Sequence, residues 1–486
     1  MRTNTLTSRT RPLWGAALLA AAGLAAMPTM ATAQDSVQVS DALQQRVVAW
    51  RRDLHQHPEL STLEPRRRAL VADHLRALGL TPRTGIAGTG VTAILKGGKP
   101  GPRVALRADM DGLPVTEQTG LPFASKVTSE YRGQPVGVMH ACGHDLHVAI
   151  LMGVAEALAG MREDLAGEVM FVFQPAEEGA PVSGESAGAK RMLEEGVFDG
   201  FKPDAVLGLH VWSRLNVGQL GVRAGPFMAS ADEWTLKVTG AQTHGSQPWA
   251  GVDPITVAAQ VLLGSQSIIA RQIDITATPV VLTAGQIQAG VRFNIIPEEA
   301  TMIGTLRTFD MGVREDVIAR LRNTAEHFAE ASGAKAQLTV VNGAPVTRND
   351  PALTERLRPS LEKVAGAGSV IETPLYTIAE DFSQFANVAP GFFFFVGTTP
   401  KGQDPTKAPI NHSPLYAPDE GALDVGVRAL LQATVDLLMP AGWGRPDPAT
   451  TAWSYGTADS VRSFGLGRAE DCRDEWYSSQ AMAHGP

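Results

Sequence analysis

Two short clusters in the sequence carry residue types that bind metal ions and move protons. Cys142 and His144 stand two residues apart, and Glu177 and Glu178 are adjacent. A thiolate, an imidazole and carboxylates form a donor set suited to Zn²⁺ or a similar divalent ion. In a Glu-Glu pair, one carboxylate can bind metal while its neighbour removes a proton from a metal-bound water. Together the clusters favour a metal-dependent hydrolase, although each cluster alone is more often structural.

Two other hypotheses fit the same residues. Cys142 could act as a nucleophile with His140, His144 or His147 as its base, but no oxyanion or orienting motif accompanies it. Alternatively, the chain could be an exported protein that binds a metal ion or a peptide without cleaving it. Glu177 beside a metal ligand argues against that hypothesis, because binding alone requires no general base.

The clusters fall where predicted strands end or a predicted helix begins. A helix over 144–159 starts within the Cys-x-His cluster. The strand ends are RADMD at 107–111 after a strand over 104–106, QPAEEG at 174–179 after a strand over 169–173, and His210 at the end of a strand over 205–210. Open α/β sheets bind their ligands beyond the carboxyl ends of the strands. We therefore expect these segments to converge on one site.

The order of predicted elements changes twice along the chain. Up to about residue 225, helices over 41–57 and 66–78 and strands such as 91–95 alternate, which predicts an α/β sheet with helices on both faces. The next segment has the ferredoxin-like order βαββαβ, with elements over 234–238, 254–272, 280–287, 300–306, 311–331 and 336–341. The first pattern then returns, with elements over 353–364, 392–396 and 419–438. The sequence thus predicts a discontinuous α/β domain that contains an inserted second domain.

Length and composition indicate a globular chain with two domains. The 486 residues are 44% hydrophobic and 19% charged, and this length exceeds that of one ordinary domain. The formal net charge of -8 and the lack of a long Lys/Arg run argue against a nucleic-acid partner.

The first 33 residues have the pattern of a signal peptide. Three arginines precede an apolar run over 13–26, and Ala-Thr-Ala at 31–33 supplies a cleavage site. The run of about fourteen residues is shorter than the roughly twenty that a membrane span needs. We therefore expect a periplasmic or secreted protein that has no membrane association after signal cleavage.

Only two cysteines, Cys142 and Cys472, occur in a chain expected to reach an oxidising compartment. No disulfide framework therefore holds the fold, and Cys142 needs another role. Residues 441–486 are rich in Gly, Pro, Ser and Thr and show no sustained periodicity, which predicts a loosely ordered tail.

Nine motifs in order resemble those of the M20 metallopeptidases, in the branch of hippurate, N-acetyl-amino-acid and indoleacetyl-amino-acid hydrolases. The resemblance extends from about residue 47 to residue 438. The motifs are RRDLHQHPEL at 51–60, RADMD at 107–111, MHACGHDLH at 139–147, QPAEEG at 174–179, GLH at 208–210, GVDPI at 251–255, NIIP at 294–297, GTLR at 304–307 and NHSP at 411–414.

The resemblance implies an α/β fold with a discontinuous zinc-exopeptidase-like catalytic domain, built on a mixed sheet, and an inserted ferredoxin-like lid and dimerisation domain. The expected ranges are 1–33 for the signal peptide, 34–225 and 343–440 for the catalytic domain, 226–342 for the lid and 441–486 for the tail. The implied activity is hydrolysis of the amide bond of N-acyl-L-amino acids through a metal-bound water. The alternative is a metallo-carboxypeptidase or dipeptidase on short peptides.

The resemblance also implies the site residues. Two divalent ions (Zn²⁺ or Mn²⁺, with Co²⁺ and Ni²⁺ as alternatives) would be held by five ligands, which are Cys142 as the bridge, His144, Glu178, His210 and His412. Glu177 would be the acid/base. In a homodimer formed through the lid, His244 would stabilise the oxyanion in the partner's site, and Asn294 and Arg307 would hold the substrate. An arginine suits a carboxylate because its fork donates two parallel hydrogen bonds.

Some residues near these motifs stay unassigned or depart from the family pattern. Asp109, Asp111 and Asp145 could orient ligands, and the remaining histidines of the motifs are expected to be structural or to support the ligands. Relatives commonly have a second histidine in place of Trp249. Residues 180–186 lengthen the loop after the glutamate pair and could reshape the rim of the site.

Overall fold

The computed structural model describes residues 36–180 and 185–439. The predicted signal peptide, the predicted tail with Cys472, and residues 181–184 of the 180–186 loop lie outside these described residues. The helices are α1 (Asp41–Gln56), α2 (Pro65–Ala77), α3 (His144–Gly160), α4 (Gly188–Glu194), α5 (Pro254–Gln272), α6 (Met311–Ala331), α7 (Pro351–Ala365), α8 (Phe382–Ala386) and α9 (Gly421–Leu438). The strands are β1 (Arg83–Ile86), β2 (Gly90–Lys96), β3 (Lys99–Asp109), β4 (Thr128–Tyr131), β5 (Gln134–Gly137), β6 (Ala166–Gln174), β7 (Ala205–Asn216), β8 (Leu220–Val222), β9 (Gly225–Met228), β10 (Asp232–Thr239), β11 (Thr243–His244), β12 (Val280–Ala289), β13 (Ile295–Ile296), β14 (Glu299–Thr308), β15 (Lys335–Asn342), β16 (Thr347–Asn349), β17 (Val370–Glu372) and β18 (Gly391–Thr399).

An eight-stranded mixed sheet lies at the centre of the fold, in the order β1-β2-β6-β3-β7-β18-β8-β17. Strand β3 lies between β6 and β7 and runs parallel to both, and β18 is parallel to β7. The pairs β1–β2, β2–β6 and β18–β8 are antiparallel. The mixed sheet confirms the predicted α/β class.

Helices cover both faces of this sheet. Successive strand residues point to opposite sides, so the strands contribute apolar side chains to both layers. Leu106 and Leu207 belong to the apolar cluster under α1, α3, α7 and α9, whereas Ala105 and Val206 belong to the cluster under α4 and α8. Helix α3 is buried at every position from 144 to 154, and it is accordingly apolar around most of its circumference.

Residues 232–342, here called the inserted segment, form a separate four-stranded antiparallel sheet in the order β12-β14-β10-β15. Helices α5 and α6 pack on this sheet around their own apolar cluster, which includes Trp234, Val261 and Leu321. Both helices start at an aspartate cap: Asp253 accepts from Ile255 N and Asp310 accepts from Val313 N. The four strands of this sheet and the two helices follow one another in the order βαββαβ, and the short pair β11–β13 lies outside the sheet.

The predicted elements with strong periodicity agree with the structure. The helices predicted over 254–272 and 311–331 coincide with α5 and α6. Strands β4, β5, β8, β9, β16 and β17 were not predicted, since each has only three or four residues and shows no period. Among the described residues, no helix has the length and apolar character that a membrane span requires.

Candidate metal centre

Three neighbouring parallel strands, β6, β3 and β7, carry or directly precede several of the predicted site residues. Strand β3 ends at Asp109 and β6 ends at Gln174, so their carboxyl ends lie at the same edge of the sheet. The prediction that His210 stands at a strand end is wrong, because β7 continues to Asn216. The extra residues of β7 keep pairing with β18, as far as Asn216 opposite Thr399.

Gly143 forms the turn that places Cys142 and His144 side by side at the start of α3. Its φ is 95°, in the left-handed region that favours glycine. A Cβ atom on this residue would lie 2.4 Å from Val211 Cγ2. The turn can therefore approach β7 closely, and it brings the thiol and the imidazole against the strand that carries His210.

The five predicted metal ligands lie in two groups that share Cys142. The groups are Cys142, His144, His210 and Cys142, Glu178, His412, and the possible ligand atoms within each group lie within 4.8 Å of one another. Cys142 Sγ lies 3.3 Å from His210 Nε2 and 3.2 Å from His412 Nε2. Glu178 Oε1 lies 2.9 Å from His412 Nε2. One sulfur between two donor groups is the geometry that a ligand bridging two cations needs.

Hydrogen bonds at Nδ1 fix the tautomer of two of these histidines. His210 Nδ1 donates to the Val211 carbonyl at 2.7 Å, and His144 Nδ1 donates to the Asp111 carbonyl at 2.9 Å. Each Nε2 is then free of its proton in the neutral ring. His144 Nε2 is buried without a hydrogen-bond partner among the described residues, and it lies 3.9 Å from Glu177 Oε2. An unpartnered nitrogen beside thiol and carboxylate groups fits a divalent cation.

Asp111 positions the Glu177-Glu178 pair. Its Oδ1 accepts from Glu177 N at 3.0 Å and its Oδ2 accepts from Glu178 N at 3.1 Å. Ser61 Oγ donates to the same carboxylate at 2.6 Å. Ala176, just before the pair, has a φ of 52°, which is rare for a residue other than glycine. The strained turn and the two hydrogen bonds together hold the two side chains on the site.

His412 also has a left-handed backbone, with a φ of 73°. His412 N donates to Ala141 O at 2.8 Å, and Asn411 Nδ2 donates to Cys142 O at 2.9 Å and to Val211 O at 3.1 Å. These bonds tie the loop to the Cys142 turn and to β7. Such strain persists only where the surroundings fix the backbone, and it is common at functional sites.

Glu380 and Asp381, which the sequence analysis did not single out, lie close to Glu177. Arg107 donates to Glu380 at 2.8 Å and to Asp381 at 2.9 Å. Burial and the carboxylates of Glu380 and Glu178 raise the pKa of Glu177 well above its usual range, which suits a group that both takes and gives a proton. The available signal was Arg107 itself, because a guanidinium within an apolar strand requires buried acidic partners.

The surroundings of Cys142 disfavour the hypothesis that its thiol is a nucleophile. Burial and the carboxylate of Glu178 raise the pKa of this thiol well above its usual range, and a thiol is a weak nucleophile while it stays protonated. His147, one of the candidate bases, has both ring nitrogens engaged. Its Nδ1 bonds to Asp109 Oδ1, and its Nε2 accepts from Val211 N at 2.9 Å.

A buried charge network lies next to the Cys-x-His turn. Asp145 accepts from Arg51 Nε at 2.9 Å and bonds to His55 Nδ1 at 2.9 Å. Burial lowers the pKa of His55, but the carboxylates of Asp145 and Glu117 together outweigh burial and raise this pKa to about 9. His140 Nε2 accepts from Arg67 at 2.8 Å. Both bonds use Asp145 Oδ2, so this residue anchors α1 to the start of α3, while its Oδ1 is buried without a hydrogen-bond partner among the described residues.

A cavity of about 610 Å³ is lined by four of the five predicted ligands, all except His144, and reaches the inserted segment. Its apolar wall includes Trp212, Met228 and Ile378, and Arg307 of β14 also lines it. Arg307 Nε donates to Thr305 Oγ1 at 3.1 Å. No carboxylate of the described residues lies within 4.0 Å of the Arg307 guanidinium, so this cation faces the cavity without an ion pair.

The structure does not bring His244 and Asn294 to the cavity of their own subunit, since neither is among the described residues that line it. They lie together where β11 pairs with β13. Ser246 N donates to His244 Nδ1 at 3.1 Å, which places the proton of the neutral ring on Nε2. The side chain of His244 is exposed, and Asn294 Oδ1 is buried without a hydrogen-bond partner among the described residues.

Comparison with known sequences decides the family. Residues 105–435 match the profile described as Peptidase family M20/M25/M40. The chain belongs to this family. It is 39% identical over 387 residues to thermostable carboxypeptidase 1 of Saccharolobus solfataricus, covering 79% of this chain and 93% of that protein. It is 38% identical over 403 residues to N-acetylcysteine deacetylase of Bacillus subtilis, covering 82% of this chain and 98% of that protein.

Among solved structures, this M20/M25/M40 member is similar to the YXEP protein of Bacillus subtilis, described as a dinuclear metal-binding peptidase of the M20 family. The TM-score is 0.67 at 34% identity, and the match covers 82% of this chain and 98% of that one. Family membership and these relatives show a hydrolytic enzyme that acts on amide bonds. The ligand groups described above are consistent with a metal-binding member of the family.

Proposed function

We propose that this protein hydrolyses the amide bond between an acyl group and the nitrogen of an L-amino acid. The proposal rests on one cavity, which is lined by Glu177, by four of the five predicted ligands and by Arg307, whose guanidinium has no ion pair among the described residues. A substrate with an amide and a free carboxylate matches these two features.

Two divalent ions would be held by the two groups that share Cys142, and Zn²⁺ or Mn²⁺ suits their N, O and S donors. When bound, such ions lower the pKa of a water molecule and polarise an amide carbonyl. His144 would bind through its unpartnered Nε2 and His210 through the Nε2 opposite its Nδ1–H bond.

Glu177 is proposed to take the proton of the attacking water and to return it to the departing amine. Its neighbour Glu178 is the residue of the pair that stands with Cys142 and His412. Asp111 accepts from the backbone nitrogens of both residues and so fixes the positions from which the two side chains extend. A carboxyl with a raised pKa can exist in both protonation states that this cycle requires.

His244 of the partner subunit is proposed to donate its Nε2–H to the developing oxyanion, in a homodimer formed through the inserted segment. This proposal is supported by the exposure of His244 and by its absence from the cavity of its own subunit. Asn294 lies beside His244 through the bond from Gly245 N to Asn294 O, at 2.8 Å, and is proposed to hold the substrate with it. We also propose that the protein acts in the periplasm or outside the cell, from the signal pattern of residues 1–33.

A metallo-carboxypeptidase activity is the second candidate. It is favoured by the similarity to thermostable carboxypeptidase 1 and by the same Arg307, because a peptide also ends in a carboxylate. Release of amine from N-acyl amino acids, measured beside release from dipeptides of the same C-terminal residue, separates the two activities.

Replacing Arg307 by alanine tests the substrate assignment. We expect kcat/KM for N-acyl amino acids to fall about 10- to 100-fold, since a hydrogen bond to a charged group is worth about 1.5–3 kcal/mol. For the corresponding N-acyl amino amides, which lack the carboxylate, kcat/KM should fall only slightly. Amine release from both substrate series gives the comparison.

Arg322→Ala is the matched control, because Arg322 is an exposed arginine on α6 that does not line the cavity. It should leave both series unchanged. If Arg307→Ala keeps the wild-type preference for acid over amide, the carboxylate is recognised by another residue.

A further inference from the structure

Three large apolar side chains of the inserted segment are almost fully exposed. The exposed fractions are 98% for Val291, 95% for Phe293 and 81% for Trp249, the highest among the large hydrophobic residues in the described part of the chain. We call these three residues the apolar tip. Single exposed apolar residues are common on protein surfaces, but a group of this size at one place indicates a contact surface.

The backbone holds the apolar tip next to His244 and Asn294. Strand β11 pairs with β13 so that His244 lies opposite Ile295, two residues after Phe293. Gln247 N donates to His244 O at 2.8 Å, which folds the following turn, Pro248–Ala250, back beside β11. The proposed oxyanion donor and the apolar tip are therefore parts of one exposed surface, which we call the protrusion.

The cavity offers a surface that matches the apolar tip. Ile378 and Ile410, which are 38% and 45% exposed, line it beside the ligand groups, whereas none of the three tip residues is among the described residues that line it. Within one subunit the protrusion and the cavity thus leave apolar surface uncovered. A second copy of the chain carries both surfaces, and a two-fold arrangement would let each protrusion meet the other cavity.

We propose that Phe293 of one subunit forms the wall of the acyl pocket in the partner's active site and so selects bulky apolar acyl groups. The inference rests on the proposed function, in which His244 crosses to the partner. Arg307 would take the carboxylate end of the substrate and His244 the acyl carbonyl oxygen. The residues that accompany His244 then lie at the acyl end, because Phe293 directly precedes Asn294, whose carbonyl accepts from Gly245 N at 2.8 Å beside His244.

The test is selectivity between N-benzoyl and N-acetyl derivatives of one amino acid. Phe293→Ala should lower kcat/KM about 10-fold or more for the N-benzoyl substrate and less than about 3-fold for the N-acetyl substrate, because only the larger group is buried against the ring. Leu263→Ala is the matched control, since Leu263 is 71% exposed on α5. It should leave the ratio of the two kcat/KM values unchanged.

Two heterodimers, purified through different tags on the two chains, locate the contact. In a dimer of Phe293→Ala with Glu177→Gln, the working site receives Phe293 from the partner, so its selectivity should match the wild type. In a dimer of wild type with the Glu177→Gln, Phe293→Ala double variant, the working site receives alanine and should lose its preference for benzoyl. The opposite pattern would place Phe293 in its own subunit's site and overturn the proposal.

Molar mass by light scattering accompanies each assay. If Phe293→Ala no longer dimerises, Phe293→Leu replaces it, because leucine keeps the apolar contact and changes the shape of the wall. An unchanged selectivity in a dimeric Phe293→Leu or Phe293→Ala variant overturns the acyl-pocket role. A monomeric wild type overturns the sharing of His244 between subunits and this inference with it, whereas a wild type that cleaves neither substrate overturns the proposed function.

Discussion

Glu177→Gln should retain its metal ions and lose about 10²- to 10⁴-fold in kcat, whereas Glu178→Gln should lose metal. The amide in Glu177→Gln keeps the shape of the side chain but cannot take a proton, and general acid–base catalysis is worth about this factor. Glu178 lies with Cys142 and His412 in one ligand group. Replacing its carboxylate by the amide of glutamine therefore removes an anionic metal donor. Metal content by mass spectrometry and kcat for an N-acyl amino acid are measured on the same preparations.

Glu355→Gln is the control for the substitution itself, since Glu355 is exposed on α7. It should keep both metal and activity. Equal loss of metal in Glu177→Gln and Glu178→Gln would show that both carboxylates bind metal, and the base would then be another group.

His244→Ala should lower kcat about 10²- to 10³-fold, as expected when one oxyanion donor is removed, and a second inactive variant should rescue it. In a heterodimer with Glu177→Gln, the subunit with a normal Glu177 receives a normal His244 from its partner. Random mixing makes about half of the dimers heterodimers, each with one working site of two, so activity should return to about a quarter of the wild type. Activity is measured after co-refolding of the two variants in equal amounts.

His327→Ala is the matched control, because this histidine of α6 is also exposed in the inserted segment. His327→Ala should keep the wild-type kcat as a homodimer, without a partner subunit to restore activity. Verified heterodimers of His244→Ala and Glu177→Gln that stay inactive would mean that His244 acts within its own subunit or has no catalytic role.

Much of the fold follows from periodicity in the sequence, and the reason is visible in particular elements. Helices α5 and α6 repeat apolar residues at the helical period and begin at aspartate caps, so both ends were predictable. Strand β7 was predicted too short, because its last residues are held by pairing with β18. Tertiary pairing of this kind leaves little trace in a local pattern.

The site was predictable to the extent that its residues occur in motifs. Cys142, His144 and the glutamate pair are close in sequence to the turns that hold them, and Gly143 and Ala176 give those turns their geometry. Other parts of the site depend on contacts between distant segments. Glu380 joins Arg107 across 273 positions, and no local spacing indicates such a bond.

Metal titration against activity tests whether hydrolysis by this protein requires two bound ions. The protein is stripped with a chelator, its metal content is measured, and Zn²⁺ or Mn²⁺ is added back while amine release from an N-acyl amino acid is followed. We expect activity to vanish in the stripped protein and to return as two ions bind per chain, with alkylation of Cys142 blocked once metal is bound. Full activity in the stripped protein, abolished by alkylation of Cys142, would show that no metal ion is required and establish the thiol as the nucleophile.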